Sequence, residues 1–336
     1  MSLASQASLD RARAVADAVL YEGYLLYPYR ATSRKNQVRW QFGVLGPPGA
    51  ADHGVGEEPG MATQCLLVTG AHRSGSVTVR LRFLQLQSRM VEKYDGPGRY
   101  LPVPELTVDG RSVMSWDEAV EHEVTLEYSA DDLRRGADRE VTVAGGTDVE
   151  PLTAHGAEAG RVVRRRWPVR VRVTARGEED EALTRLTVSA TNVTAEPLDG
   201  EPQDRDWAIR RSLIGVHMLL EAGGARFVSV IDPPAAAEGP ARRCHQKRCW
   251  PVLTGTADAD GTSDLALGSP IILYDFPEVA EQSAGDLFDS TEIDEILTLR
   301  VMTMTEQEKA EARATDPRAR EIIDRCDQMS PESLQL

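Results

Sequence analysis

The chain is poor in aromatic residues, which make up 5% of its 336 residues, and it holds only four cysteines and four lysines. It contains no run of about 18 apolar residues, so no segment is expected to span a membrane as a helix. It also lacks a surplus of positive charge. Fifty-three acidic side chains oppose 38 basic ones, for a formal net charge of -15. That balance argues against a general nucleic-acid binder, which needs a cationic footprint to displace counterions. It argues equally against a peripheral binder of anionic lipid. No Gly-x-Ser-x-Gly elbow, Walker loop, Gly-x-Gly-x-x-Gly or His-Glu-x-x-His is present, and each absence removes one familiar chemistry. Six histidines are scattered along the chain, and His217, inside an apolar strand, reads as a core residue. No period of 20–50 residues repeats, which excludes a solenoid.

The N-terminal stretch lacks a basic n-region followed by an apolar core. Asp10 and Asp17 interrupt Ser5–Ala18, which reads as a short amphipathic helix rather than a signal peptide, and a cytoplasmic location is expected. In that compartment Cys65, Cys244, Cys249 and Cys326 are expected as free thiols.

Period-2 patterning is abundant. Val77, Val79, Leu81 and Phe83 alternate with polar residues, as do Val124, Leu126 and Tyr128. Successive side chains of a strand point to opposite faces, so these runs are half-buried strands. Trp167–Val173 and Leu186–Ala190 predict a long hairpin with a charged loop over 176–181. A second hairpin is expected over 212–231, turning at Gly223-Gly224. Short strands are expected at 63–69, 139–144, 250–254 and 270–274. Residues 46–60, 145–160, 195–206, 234–243 and 255–264 read as long mobile loops. The whole predicts a mainly β (α+β) protein: an antiparallel β-sandwich or open barrel over 1–274, with a C-terminal acidic helical segment over 275–336 packed on it. That segment has 16 acids and 6 bases, so it carries most of the negative charge, and Thr305–Glu308 forms a capping box within it.

Three clusters are candidates for function. Cys244-His245-Gln-Lys-Arg-Cys249 offers two thiols and an imidazole within six residues, a ligand set for zinc or nickel, although no second ligand pair accompanies it. The bases around it would also lower a thiol pKa and make a reactive cysteine, and the plain alternative is a loop with two free thiols. Tyr21, Tyr24, Tyr27, Tyr29 and Arg30, followed by Lys35, Arg39 and Trp40, have the side chains that anchor protein interfaces; the alternative is a strand and turn filling the sandwich edge. Arg161, Arg164, Arg165 and Arg166 form a basic cluster able to hold phosphate or an acidic partner, or to face solvent, or to mate with the acidic tail of the same chain.

Val19–Arg30, Lys35–Gly43, Gly268–Asp275, Gly285–Leu297 and Glu308–Asp316 together resemble a bacterial family, frequent in actinobacteria, whose genes accompany operons for high-affinity NiFe hydrogenases. The resemblance covers nearly the whole chain. It implies a non-catalytic accessory or assembly role through contact with a hydrogenase subunit or maturation factor, and it transfers no catalytic residue.

Overall fold

The computed structural model describes residues 3–21, 43–69, 75–194, 204–258 and 260–278, together with Asp324. Its elements in chain order are α1 (Leu3–Tyr21), β1 (Gly60–Thr69), β2 (Ser76–Tyr94), β3 (Tyr100–Val103), β4 (Glu105–Val108), β5 (Arg111–Met114), β6 (Trp116–Tyr128), α2 (Ala130–Arg135), β7 (Ala137–Val143), β8 (Gly146–Ala154), β9 (Ala157–Arg166), β10 (Val169–Asp180), β11 (Leu183–Asn192), α3 (Arg205–Arg210), β12 (Ile214–Gly223), β13 (Ala225–Val228), α4 (Glu238–Arg242), β14 (Trp250–Thr254) and β15 (Leu265–Ser269).

Among the described residues the strands form two main antiparallel sheets. One runs β13-β1-β11-β10-β7. The other runs β14-β15-β12-β2-β9-β8, with β3 and β6 also paired to β2. Neither closes into a barrel, so the architecture is a β-sandwich. The alternating residues meet between the sheets. Val77, Val79, Leu81 and Phe83 of β2 and Met218 and Leu220 of β12 face Val169, Val171 and Val173 of β10 and Leu186 and Val188 of β11 in one core. Tyr128 spans it, its hydroxyl donating to the Val173 carbonyl at 2.9 Å.

β2 organises the larger sheet. Its first half lies between β12 and β6, and its second half takes β9 in place of β12. The outer face of β12 and β15 is apolar as well, and α1 covers it: Leu9 and Ala12 pack on Leu219 and Leu265, and Val15 and Ala16 pack on Val252 and Leu267. The N-terminal helix is therefore part of the packing.

The hairpin expected over 212–231 does not form. β12 pairs with β2 and β15, whereas β13 pairs with β1 in the opposite sheet, so Gly223-Gly224 is a corner between sheets. Gly224 sits at φ +74°, which an L side chain resists. The physical reason is that β12 is buried on both faces. It takes a central place with both edges occupied and leaves none for β13.

The second correction concerns the charged stretch 176–181. β10 continues to Asp180 and turns through Glu181-Ala182, because Arg176 and Glu178 form an ion pair at 3.2 Å on a wet face. Residues 145–160 are likewise not a loop but the β8–β9 hairpin. Its turn places His155 and Gly156 at φ +49° and +80°, the pair of positive angles that a type I′ turn requires. No residue of β8 is buried on either face, so the alternation that marks a half-buried strand is missing. Ala235–Ala237 form a 3-10 turn leading into α4, not a mobile loop. Residues 46–60 make compact turns, with Ala50 packed on Trp207 and Ala208. The strand expected at 270–274 lies at Leu265–Ser269 instead, and Pro270, which has no N–H to offer, follows it.

Candidate functional site

The Cys-His segment lies along the edge of β1. Lys247 pairs with Ala62 as an isolated antiparallel bridge, its amide donating to the Ala62 carbonyl at 2.8 Å and its carbonyl accepting from the Ala62 amide at 2.9 Å. One residue back, the Gln246 side chain takes the place of a strand backbone. Its Oε1 accepts from the Gln64 amide at 2.9 Å and from the Thr63 hydroxyl at 3.1 Å, and its Nε2 donates to the Gln64 carbonyl at 2.9 Å. Gln64 replies by accepting the His245 amide at 2.7 Å. Arg248, at φ +55°, donates to the carbonyls of Glu58 at 2.8 Å and Val44 at 2.6 Å. The segment is a strap that satisfies the β1 edge between its pairings and ties it to residues 44–58.

The strap sets the fate of its cysteines. Cys249 points into the core and is fully enclosed; Cys65 on β1 is buried beside it. Burial pushes the Cys65 thiol up to about 12, with the neighbouring Cys244 adding to the rise. Burial and the nearby Cys65 raise Cys249 further. Cys244, half-buried, is also raised by burial; Arg185 and Arg243 pull the other way and do not prevail. The expected lowering by local positive charge fails because those bases are already engaged. Arg243 pairs with Asp180 and with Glu181 at 2.7 Å, and Lys247 pairs with Glu58 at 2.9 Å. Cys65 and Cys249 are therefore held as thiols at neutral pH. Among the described residues no group of three or more His, Cys, Asp or Glu is gathered to hold a metal ion.

A polar layer lies under α1, on the outer face of β2. Arg82 is only 4% exposed. Its guanidinium meets Asp17 of α1, Glu121 at 2.6 Å and Glu123 at 3.3 Å. Arg13 of α1 reaches Glu123 at 2.8 Å, and Arg80 reaches Glu221 at 2.8 Å. His217 stands opposite Arg82 in the ladder and is fully buried. Its Nδ1 lies 2.9 Å from the Gly215 carbonyl, to which it donates; its Nε2 and Arg82 Nη1 have no hydrogen-bond partner among the described residues. Burial, then the adjacent Arg82, drives the His217 pKa down to about 3, so the ring is neutral. The sequence placed His217 in the core but gave no sign of Arg82, whose pattern position is simply the wet side of β2.

The basic cluster is mostly neutralised. Arg161 pairs with Glu92 at 2.6 Å, Arg164 with Glu118 at 3.2 Å and Glu150 at 2.7 Å, and Arg166 with Asp148 at 2.9 Å. Arg165 is the exception. It stacks on Trp167 at 4.9 Å, and Arg210 of α3 stacks on the same ring at 4.9 Å. Arg165 and Trp167 are two apart in sequence and share a face, which was legible; Arg210, 43 residues on, was not.

A fourth feature follows β15. Ile271 and Leu273 pack inward against Val15, Ala16, Val252 and Leu267, while Ile272 and Tyr274 between them are 75% and 86% exposed. Asp275 pins the segment, accepting from the Leu253 amide at 2.7 Å and from the Ser229 hydroxyl, and the Phe276 amide donates to the Leu253 carbonyl at 2.7 Å. The Ser229 hydroxyl also accepts from the amide of Ile231, itself 48% exposed.

Of the expected docking residues, Tyr21 closes α1, whereas Tyr24, Tyr27, Tyr29, Arg30, Lys35, Arg39 and Trp40 lie outside the described residues. So does the acidic tail beyond Glu278, apart from Asp324. No helix among the described residues is long and apolar enough to cross a membrane. No family model matches the chain, and no curated protein matches it in sequence.

Proposed function

We propose that this protein is a non-catalytic accessory or assembly factor that acts by binding another protein. The observation that carries the reading is the pair Ile272 and Tyr274, held out to solvent on a segment whose alternate residues and Asp275 are firmly anchored. A large apolar side chain on a fixed backbone costs little entropy to bury in a partner, and exposed apolar groups of this kind mark interfaces. The groups best suited to chemistry have packing roles instead. The thiols are raised, His217 is neutral and enclosed, and the Cys244-His245-Cys249 segment secures a sheet edge.

The resemblance of the sequence to a family encoded beside NiFe hydrogenase genes supplies the partner: a hydrogenase subunit or maturation factor, met in the cytoplasm. The test is affinity capture of the full chain from native cells, alongside an Ile272→Ser/Tyr274→Ser variant. The expected result is recovery of a hydrogenase component by the parent chain and its loss in the variant, with thermal unfolding unchanged. Recovery of no such component, together with unaltered hydrogenase activity after deletion of the gene, would overturn the proposal.

A further inference from the structure

We infer that the Trp167 ring, clasped by Arg165 and Arg210, is the docking surface for the acidic segment Glu281–Glu295 of the same chain. Two guanidiniums 4.9 Å from one indole both gain from its π face, but they bring two like charges to one small area. Arg161, Arg164 and Arg166 answer the same problem with carboxylates at 2.6–3.2 Å. Arg165 is exposed and has no carboxylate partner among the described residues. Arg210 has only Asp206, four residues away on its own helix at 3.6 Å, an exposed pair of the kind that contributes little. The surface has an aromatic floor, two cations and an unmet demand for negative charge.

The chain contains a matching segment. Between Glu281 and Leu299 it carries six carboxylates, at Glu281, Asp286, Asp289, Glu292, Asp294 and Glu295, and no base. Leu287 and Phe288 lie among them and supply apolar contact for the indole edge. The described chain reaches Glu278. Asp294 follows about 16 residues later, a span of ~55 Å when extended, which is on the order of the diameter of a domain this size. Tethering holds the segment at an effective concentration in the millimolar range, so a weak carboxylate–guanidinium contact suffices to fill the surface. This inference is independent of any partner bound at Ile272 and Tyr274.

The test uses the full chain with Arg165→Lys and Arg210→Lys, which keep the charges and add amines that a carbodiimide can join to carboxylates. Mass spectrometry is expected to find amides linking positions 165 or 210 to Glu281, Asp286, Asp289, Glu292, Asp294 or Glu295 within the monomer. Links confined to other carboxylates, links only between two copies, or no links at these positions overturn the inference. Hydrogen exchange on an Arg165→Gln/Arg210→Gln chain gives a second readout: amides of 281–297 are expected to exchange about tenfold faster or more, while those of β2 and β12 stay protected. Unchanged exchange across 281–297 also overturns it.

Discussion

His217 should make the fold sensitive to mild acid. In the folded chain its ring is fully buried, faces the Arg82 guanidinium, and has a pKa depressed to about 3 from an ordinary value of 6.5. The hydrogen bond to the Gly215 carbonyl and, after it, Glu121 on β6 pull in the opposite direction and do not offset burial. A base whose folded pKa is lowered favours the unfolded chain once the unfolded form begins to take up protons. Its contribution is therefore complete above pH 6.5, falls as the pH drops through the interval below that value, and is lost by about pH 3. Each pH unit within the interval costs about 1.4 kcal/mol, so the loss attributable to this ring between pH 7 and pH 5 is about 2 kcal/mol. The assay is urea unfolding of the full chain and of a His217→Asn variant at pH 7, 6 and 5. Asparagine can still donate to the Gly215 carbonyl and does not titrate. The variant is expected to be less stable at pH 7 because it leaves part of the ring's space empty, but to lose about 2 kcal/mol less than the parent over the same pH range. Other carboxylates and histidines act on both proteins and cancel in the difference. Equal losses for parent and variant would refute the reasoning, since the ring would then be hydrated or charged in the folded state.

Two further outcomes test the strap on β1. Gln246→Ala removes three hydrogen bonds to Thr63 and Gln64 and leaves the Gln64 carbonyl and amide unpaired, so it is expected to cost about 1–3 kcal/mol in thermal or urea unfolding; a cost under about 0.5 kcal/mol would mean that the edge is satisfied by water. Peptide-resolved labelling with a neutral alkylating reagent at pH 7 should leave Cys65 and Cys249 unmodified in the folded chain and modify both promptly in urea, with Cys244 slow but reactive; rapid labelling of Cys249 in the folded chain would contradict its burial.

The sandwich was readable wherever a strand has one wet face. In β10, β11 and the first half of β2, from Val77 to Phe83, the 2-residue period of buried apolar residues survives in the sequence, and those strands form the core. β12 lacks that period because α1 covers its second face, and β8 lacks it because neither of its faces is buried; these are the places where the sequence misled. Among candidate sites, the Cys-His cluster was legible as a cluster but not as a strap. Its role depends on Gln64 and Thr63, 180 residues away. The same holds for Arg82, whose meaning comes from a helix 65 residues earlier.

The sequence alone determined the class of the protein: an antiparallel β body with negative charge concentrated at one end, and a chain without a familiar catalytic signature. Periodicity and composition are local, additive properties, so they can be read from a string. Only the tertiary structure decided which charges remain unanswered and which thiols are sealed. An arginine is neutralised, buried or left free according to what another strand brings within about 4 Å of it. Arg164 and Arg165 are neighbours in sequence; among the described residues one meets Glu118 and Glu150, and the other stacks on a tryptophan ring with no carboxylate beside it.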